Sequence, residues 1–343
     1  MLWNQFRPLR GLAAVLVLVA GLTSCSGSPA PGSSESPVAS ASPSPGETSS
    51  APKPSVPVST NLDGISVAGE LQKLPAVTIP APWAVDTSQS KVIIPGSGAE
   101  ITQDSMVKVH YWGGNGRTGT VFQESFSEGK PVVFPMQGLI KGFITGLIGQ
   151  KAGSRVLIGI TGPDGYGSQG GNPQAGIEAD DCLVFVVDII DVSRTEPSGE
   201  RVTAPAGLPT VKGDLDQPVV TVPKDTPAPT SLVVQPLIKG TGTPVAAADS
   251  VRVNFVEYAW STGKMVRTTY GDKDKGYKPQ DGALAKTLPA WQQALVNQPV
   301  GSRLLIIAPP AVGYPSGDPR KKINPGETTV YVVDILFAYE NPS

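Results

Sequence analysis

The chain has 343 residues, 27 Lys and Arg against 29 Asp and Glu, and a single histidine, His110. That near-neutral, slightly acidic balance argues against nucleic acid, whose binding rests on neutralising phosphates. One histidine and two cysteines supply neither a metal cluster nor a nucleophilic triad that could be built more than once.

The first segment reads as a targeting sequence. Arg7 and Arg10 precede an apolar run over 12–22 that is too short to span a bilayer. Leu22-Thr23-Ser24-Cys25 resembles a bacterial lipobox, which implies removal of residues 1–24 and lipidation of Cys25. Two or more acyl chains make a stable anchor where one is marginal, so the mature chain is expected on the extracytoplasmic face of a bacterial membrane. Residues 25–60 are Ser, Pro, Ala and Gly with almost no large apolar side chain, a composition too poor to bury a core. They read as a disordered tether, roughly 30–35 Å end to end as a flexible coil.

Two long segments follow, 61–195 and 205–343, and they carry the same pattern. VKVHYWGGNGRTGTVFQESF (107–126) aligns without a gap on VRVNFVEYAWSTGKMVRTTY (251–270). FITGLIGQKAGSRVLIGI (143–160) aligns on WQQALVNQPVGSRLLIIA (291–308), and VFVVDII (184–190) on VYVVDIL (330–336). A repeat of this length is a whole domain rather than a solenoid unit. Each copy opens on a proline-rich lead-in (64–82; 207–223) that reads as edge strands or extended arms. A Gly-x-Gly turn (Gly96/Gly98; Gly240/Gly242) and an alternating strand come next. The spacing then predicts a short helix over 142–149 or 290–297, with Phe143, Leu147 and Ile148, or Trp291, Leu295 and Val296, on one buried face. A strand, a long Gly/Pro loop and a final apolar strand complete an α+β domain, an antiparallel sheet wrapped around one short helix. Cys182, beside the last strand of the first copy, reads as a buried inert thiol. The runs Asp272–Lys275 and Arg320–Lys322 read as solvated loops.

These residues resemble the FKBP-type peptidyl-prolyl cis/trans isomerases. The marks in the first copy are VHY (109–111), Gly-x-x-Phe (119–122), LIKGFITGL (139–147), GSRV (153–156), PDGYG (163–167) and LVFVVDI (183–189). The resemblance implies two tandem FKBP-like domains. In the first, Tyr111, Phe122, Gln123, Ile140, Phe143, Tyr166 and Phe185 would act on the substrate, and Val132, Leu139 and Ile177 would help bind it. Phe143 stands where the family usually has a tryptophan floor, Gln123 where it has an aspartate, and Val132 where it has an aromatic. The second copy would line its pocket with Phe255, Leu288, Trp291, Tyr314, Ile323 and Tyr331. There Val266 and Arg267 replace the usual Phe-Asp pair, so that copy is expected to be weak or inactive.

The resemblance also implies an activity that needs no cofactor and no metal, on X-Pro segments of exported proteins, with macrolides as inhibitors. A monomer is expected. A non-catalytic peptide-binding chaperone and a structural envelope lipoprotein stand as the alternatives.

Overall fold

The computed structural model describes residues 56–224 and 226–340. The signal sequence, Cys25 and nearly all of the tether lie outside the described residues. Two antiparallel sheets carry the two copies. The first is built from β1 (Gln89–Ile94), β2 (Met106–Asn115), β3 (Val121–Glu124), β4 (Val132–Pro135), β5 (Arg155–Ile160) and β6 (Leu183–Val192). Their order is β1-β5-β6-β2-β3, with β4 also paired to β2. The helix α1 (Lys141–Leu147) runs between β4 and β5.

The second sheet repeats this with β8 (Val233–Gly240), β9 (Asp249–Ala259), β10 (Met265–Thr268), β11 (Gln280–Ala283), β12 (Arg303–Ala308) and β13 (Thr329–Glu340). The helix α2 (Pro289–Leu295) takes the place of α1. One further strand, β7 (Gly199–Arg201), leaves the segment between the copies and pairs with β8 at the sheet edge. Few helices and two antiparallel sheets agree with the expected fold class.

The central strands are buried on both faces, which explains why they read as near-continuous apolar runs. On the helix side of the first sheet, Val107, Val109, Phe185, Val187, Val156 and Ile158 pack with Phe143 and Leu147. Gly142 and Gly146 allow that contact: a Cβ on either would lie 2.3 Å and 2.6 Å from methyls of Ile160 and Ile158. Ile148, expected on the buried face, is exposed, because α1 ends at Leu147 and the chain turns away.

The opposite face is covered by the lead-in. Leu62, Ile65, Trp83 and Val85 pack on Trp112, Leu157, Val184 and Val186, with the buried Cys182 thiol among them. Part of the lead-in forms a small hairpin, Ser66–Ala68 against Ala76–Thr78. The second lead-in does the same through Val220 and Val222 on Val256, Leu305 and Val332. What alternation suggested was an arm is thus a second layer of the core.

Both lead-ins are fastened by a buried ion pair. Arg155 and Asp188 are fully buried and bidentate, at 2.6 and 2.8 Å. Arg155 also donates to the carbonyls of Gly69, Glu70 and Lys73, and the Gln72 N–H donates to Asp188. In the second domain Arg303 pairs with Asp334 at 2.6 and 2.7 Å and donates to the Leu215 carbonyl. There the Tyr270 hydroxyl also donates to Asp334, 2.7 Å away.

The two sheets meet without a free linker. Ser193 exchanges hydrogen bonds with Met106 of the first sheet, and the next residue, Arg194, donates to the Leu336 carbonyl of the second. Lys273 reaches Asp104 across this junction at 2.6 Å, so one residue of the run read as a solvated loop is an inter-sheet contact.

Candidate functional site

The first domain holds an open depression between its sheet and α1. It is lined by Tyr111, Phe122, Gln123, Phe134, Leu139, Ile140, Phe143, Tyr166 and Phe185. The sheet supplies Tyr111 from β2, Phe122 and Gln123 from β3 and Phe185 from β6. The consecutive Phe122 and Gln123 both reach the cavity at a register shift between β2 and β3, where Gly113 pairs with Gln123 and Gly114 with Val121. The start of α1 supplies Ile140 and Phe143. The loop after β5 supplies Tyr166, and the chain before α1 supplies Leu139.

The rings pack edge to face. Phe143 meets Phe185 at 5.1 Å between centroids and 90°, and Phe134 at 5.9 Å and 68°. Phe122 meets Phe185 at 5.6 Å and 80°. Such pairs add about 0.5–1.5 kcal/mol each beyond area burial and fix ring orientation. Ile140 is the residue before the helix, in extended conformation, and its carbonyl accepts from the N–H groups of Phe143 and Ile144.

Burial pushes the Tyr111 hydroxyl up to about 12, and burial raises that of Tyr166 as well. Both are neutral hydrogen-bonding groups at physiological pH. The loop bearing Tyr166 is tied to α1 by Lys141 and Asp164, 2.7 Å apart, and to the residue before β1 by Ser88 and Asp164, also 2.7 Å. Hydrogen bonds from Lys141 and Ser88 hold the Asp164 carboxyl below its usual range.

Eight residues expected at this site therefore stand on one cavity. Val132 and Ile177 instead lie in the core cluster beside it, Ile177 almost fully buried. Phe134 was missed. It shares a face with Val132 on β4, two residues along, and it supplies an aromatic ring that Val132 lacks. The alternation in VVFP carried that signal.

In the second domain Phe255, Trp291 and Tyr331 pack together in the helix-side core with Leu288 beside them, and Tyr314 and Ile323 are buried nearby. Two further residues complete the group, Glu257, which the sequence reading did not single out, and Lys321, which it placed in a solvated loop. Glu257 is fully buried and accepts a hydrogen bond from the Tyr331 hydroxyl at 2.7 Å. Lys321 donates to the Tyr314 hydroxyl at 2.6 Å and lies 4.5 Å from the centre of its ring, so this lysine is not simply solvated.

Comparison with known proteins finds relatives of both domains. The family model for FKBP-type peptidyl-prolyl cis-trans isomerases matches twice, over residues 98–190 and 242–336. A probable FK506-binding protein of Corynebacterium glutamicum is 36% identical over 117 residues, 34% of this chain and 96% of that protein. A probable FKBP-type peptidyl-prolyl cis-trans isomerase of Haemophilus influenzae is 37% identical over 121 residues, 34% of this chain but only 48% of that protein. The crystal structure of the three FKBP domains of wheat FKBP73 is 17% identical and covers 74% of this chain and 94% of that one, with a TM-score of 0.31. The two family matches together take in more than half of the chain, which belongs to the FKBP-type peptidyl-prolyl cis-trans isomerase family.

Proposed function

We propose that the first domain catalyses cis/trans isomerisation of X-Pro bonds in exported proteins, on the outer face of a membrane to which Cys25 anchors the chain. The observation that carries this reading is the aromatic cavity bounded by Tyr111, Phe122, Phe143, Tyr166 and Phe185. Rotation about an X-Pro bond is slow because twisting forfeits amide resonance, a barrier of roughly 18–20 kcal/mol. No covalent bond forms or breaks, so no nucleophile or proton carrier is required. The planar amide is more charge-separated than the twisted one, so an apolar enclosure disfavours the ground state more than the transition state. The rings would grip the pyrrolidine while the preceding carbonyl turns. The Ile140 N–H and the Tyr166 hydroxyl are the groups that would donate to substrate carbonyls. A rate gain of about 10⁶ needs only about 8 kcal/mol.

The test is proline-limited refolding of a denatured substrate, and turnover of an X-Pro peptide, by the purified chain. Acceleration supports the reading. A folded chain with no activity on either would leave peptide binding without turnover as the better account.

The cavity has no group that titrates near neutrality, since Gln123 stands where a carboxylate would otherwise be and both tyrosines are raised. The rate is therefore expected to be flat between about pH 6 and pH 9. For Tyr111 the folded value of about 12 lies above the ordinary 10.0. Its contribution is complete below about pH 10 and lost as pH rises through about 12. A bell-shaped profile centred near neutrality would contradict this site.

The anchoring part of the proposal rests on Leu22-Thr23-Ser24-Cys25. Cys25→Ala should move the protein from the membrane fraction to the soluble one, read by fractionation and blotting. Unchanged partition of that variant would overturn lipid anchoring.

A further inference from the structure

The second domain keeps the family's scaffold and replaces what fills it. Gly113 on β2 stands opposite Gln123 on one side and Phe185 on the other. Glu257 holds the same place on β9, opposite Arg267 and Tyr331. A Cβ at Gly113 would lie 2.8 Å from the Phe122 ring and 3.0 Å from that of Phe185, so the first cavity needs glycine there. The second domain has Val266 in the place of Phe122, and the smaller side chain leaves room for a carboxylate to enter from the glycine's position.

The outcome is an aromatic box with an acid in it. Trp291 meets Phe255 at 5.1 Å and 82°, and Tyr331 at 5.7 Å and 87°. Glu257 is 0% exposed, and while one oxygen accepts from Tyr331, Oε2 has no hydrogen-bond partner among the described residues. The Trp291 indole N–H likewise has none. A buried carboxylate with an unused oxygen is costly unless a cation completes it.

Arg267 takes that place incompletely. Its guanidinium lies 4.5 Å from the centre of the Phe255 ring, but its Nε is 3.8 Å from Glu257 Oε2. That is about 1 Å longer than a charge-assisted hydrogen bond, which runs about 2.7–2.9 Å. The cause is the register: Arg267 sits directly across the strand pair from Glu257 and cannot approach end-on. Its side chain is 42% exposed, so leaving the box requires no rearrangement of the core. A guanidinium on another chain would have no such tether. Stacking on aromatic faces and forked pairing with a carboxylate both favour guanidinium over ammonium.

We propose that the second domain binds an arginine side chain of a client segment, which displaces Arg267 and pairs with Glu257 inside the box formed by Phe255, Trp291 and Tyr331. Arg267 is then a resident competitor that sets the affinity. The buried Trp291 N–H lies in the same aromatic cluster and reports on its occupancy. This site is independent of whether the first domain turns over X-Pro bonds.

The test follows the Trp291 indole N–H signal by ¹H–¹⁵N NMR in the full chain, assigned through Trp291→Phe, while butylguanidinium is added. In Arg267→Gln, which copies the residue of the first domain, a saturable shift is expected at a concentration about tenfold or more below that needed in the parent. Butylurea, similar in shape but uncharged, should give none. Glu257→Gln placed on Arg267→Gln should abolish the response. Equal shifts with butylurea, no saturable shift in folded Arg267→Gln, or retention of the response without Glu257 would each overturn the proposal. Tighter binding of butylammonium would overturn the assignment to arginine. If Arg267→Gln loses the dispersed Trp291 signal of a folded domain, an extended arginine-containing peptide is titrated into the parent. A saturable shift that Glu257→Gln removes supports the site, and its absence overturns it.

Discussion

Phe143→Leu in the full chain is expected to lower kcat/KM on an X-Pro peptide by about tenfold or more. Phe143 is buried on the cavity floor and makes edge-to-face contacts with both Phe134 and Phe185. Losing two aromatic pairs worth about 0.5–1.5 kcal/mol each removes roughly 1–3 kcal/mol of ring enclosure, where about 1.4 kcal/mol is tenfold in rate. Leucine is chosen over alanine because a Phe→Ala change in a core costs about 3–5 kcal/mol and endangers folding. Near-ultraviolet circular dichroism checks that packing survives. Adding Tyr111→Ala to Phe143→Leu should bring the rate to background. Any activity left in that folded double variant measures the second domain. If half or more of the parent rate remains, the expectation drawn from Val266 and Arg267, that the second domain is weak or inactive, is reversed.

The largest loss of stability is expected from Arg155→Ala. Removing one partner of a buried ion pair costs about 3–5 kcal/mol, because the other charge is left uncompensated. Here the carbonyls of Gly69, Glu70 and Lys73 lose their donor as well. The first domain should therefore melt on the order of 10 °C or more below the parent, and amide exchange should rise first across 66–78. Replacing both partners, as in Arg155→Met with Asp188→Leu, often restores stability where a pair serves only itself. It is expected to restore only part here, since the lead-in carbonyls and the Gln72 N–H remain without partners. Full recovery in the double variant would mean that the lead-in does not depend on the pair. An unchanged melting temperature in Arg155→Ala would mean that the pair contributes nothing.

The two predictions differ in how far the sequence anticipates them. Tyr111, Phe122, Phe143, Tyr166 and Phe185 could be picked out because each lies in a short stretch whose order and spacing repeat a family pattern. The i, i+4 pair Phe143 and Leu147 fixed which side of α1 is buried, while the near-continuous apolar runs of β2 and β6 marked strands covered on both faces. The internal repeat was visible for the same reason: strand and helix periods are local properties of the chain. GSR and VVD also stand out as strings repeated in both copies, and they contain Arg155 and Asp188, Arg303 and Asp334.

What those strings do was decided only in three dimensions. A period of two assigns a residue to a face but not to its neighbour on the next strand, which depends on register. Register places Arg155 beside Asp188 and Arg303 beside Asp334. The path of the lead-in then brings its carbonyls over the guanidinium of each pair, which no spacing within 64–82 foretold. The same limit hid Phe134, whose contribution depends on β4 lying along β2, and Glu257, whose burial depends on the strands paired on either side of it. Glu257, Arg267 and Tyr331 are separated in the chain and form one cross-strand row. The sequence by itself determined two copies of one domain and the aromatic content of the first cavity. Tertiary pairing determined that the aromatic cluster of the second domain is built around a buried carboxylate, because the energy of a buried charge depends on what stands next to it in space.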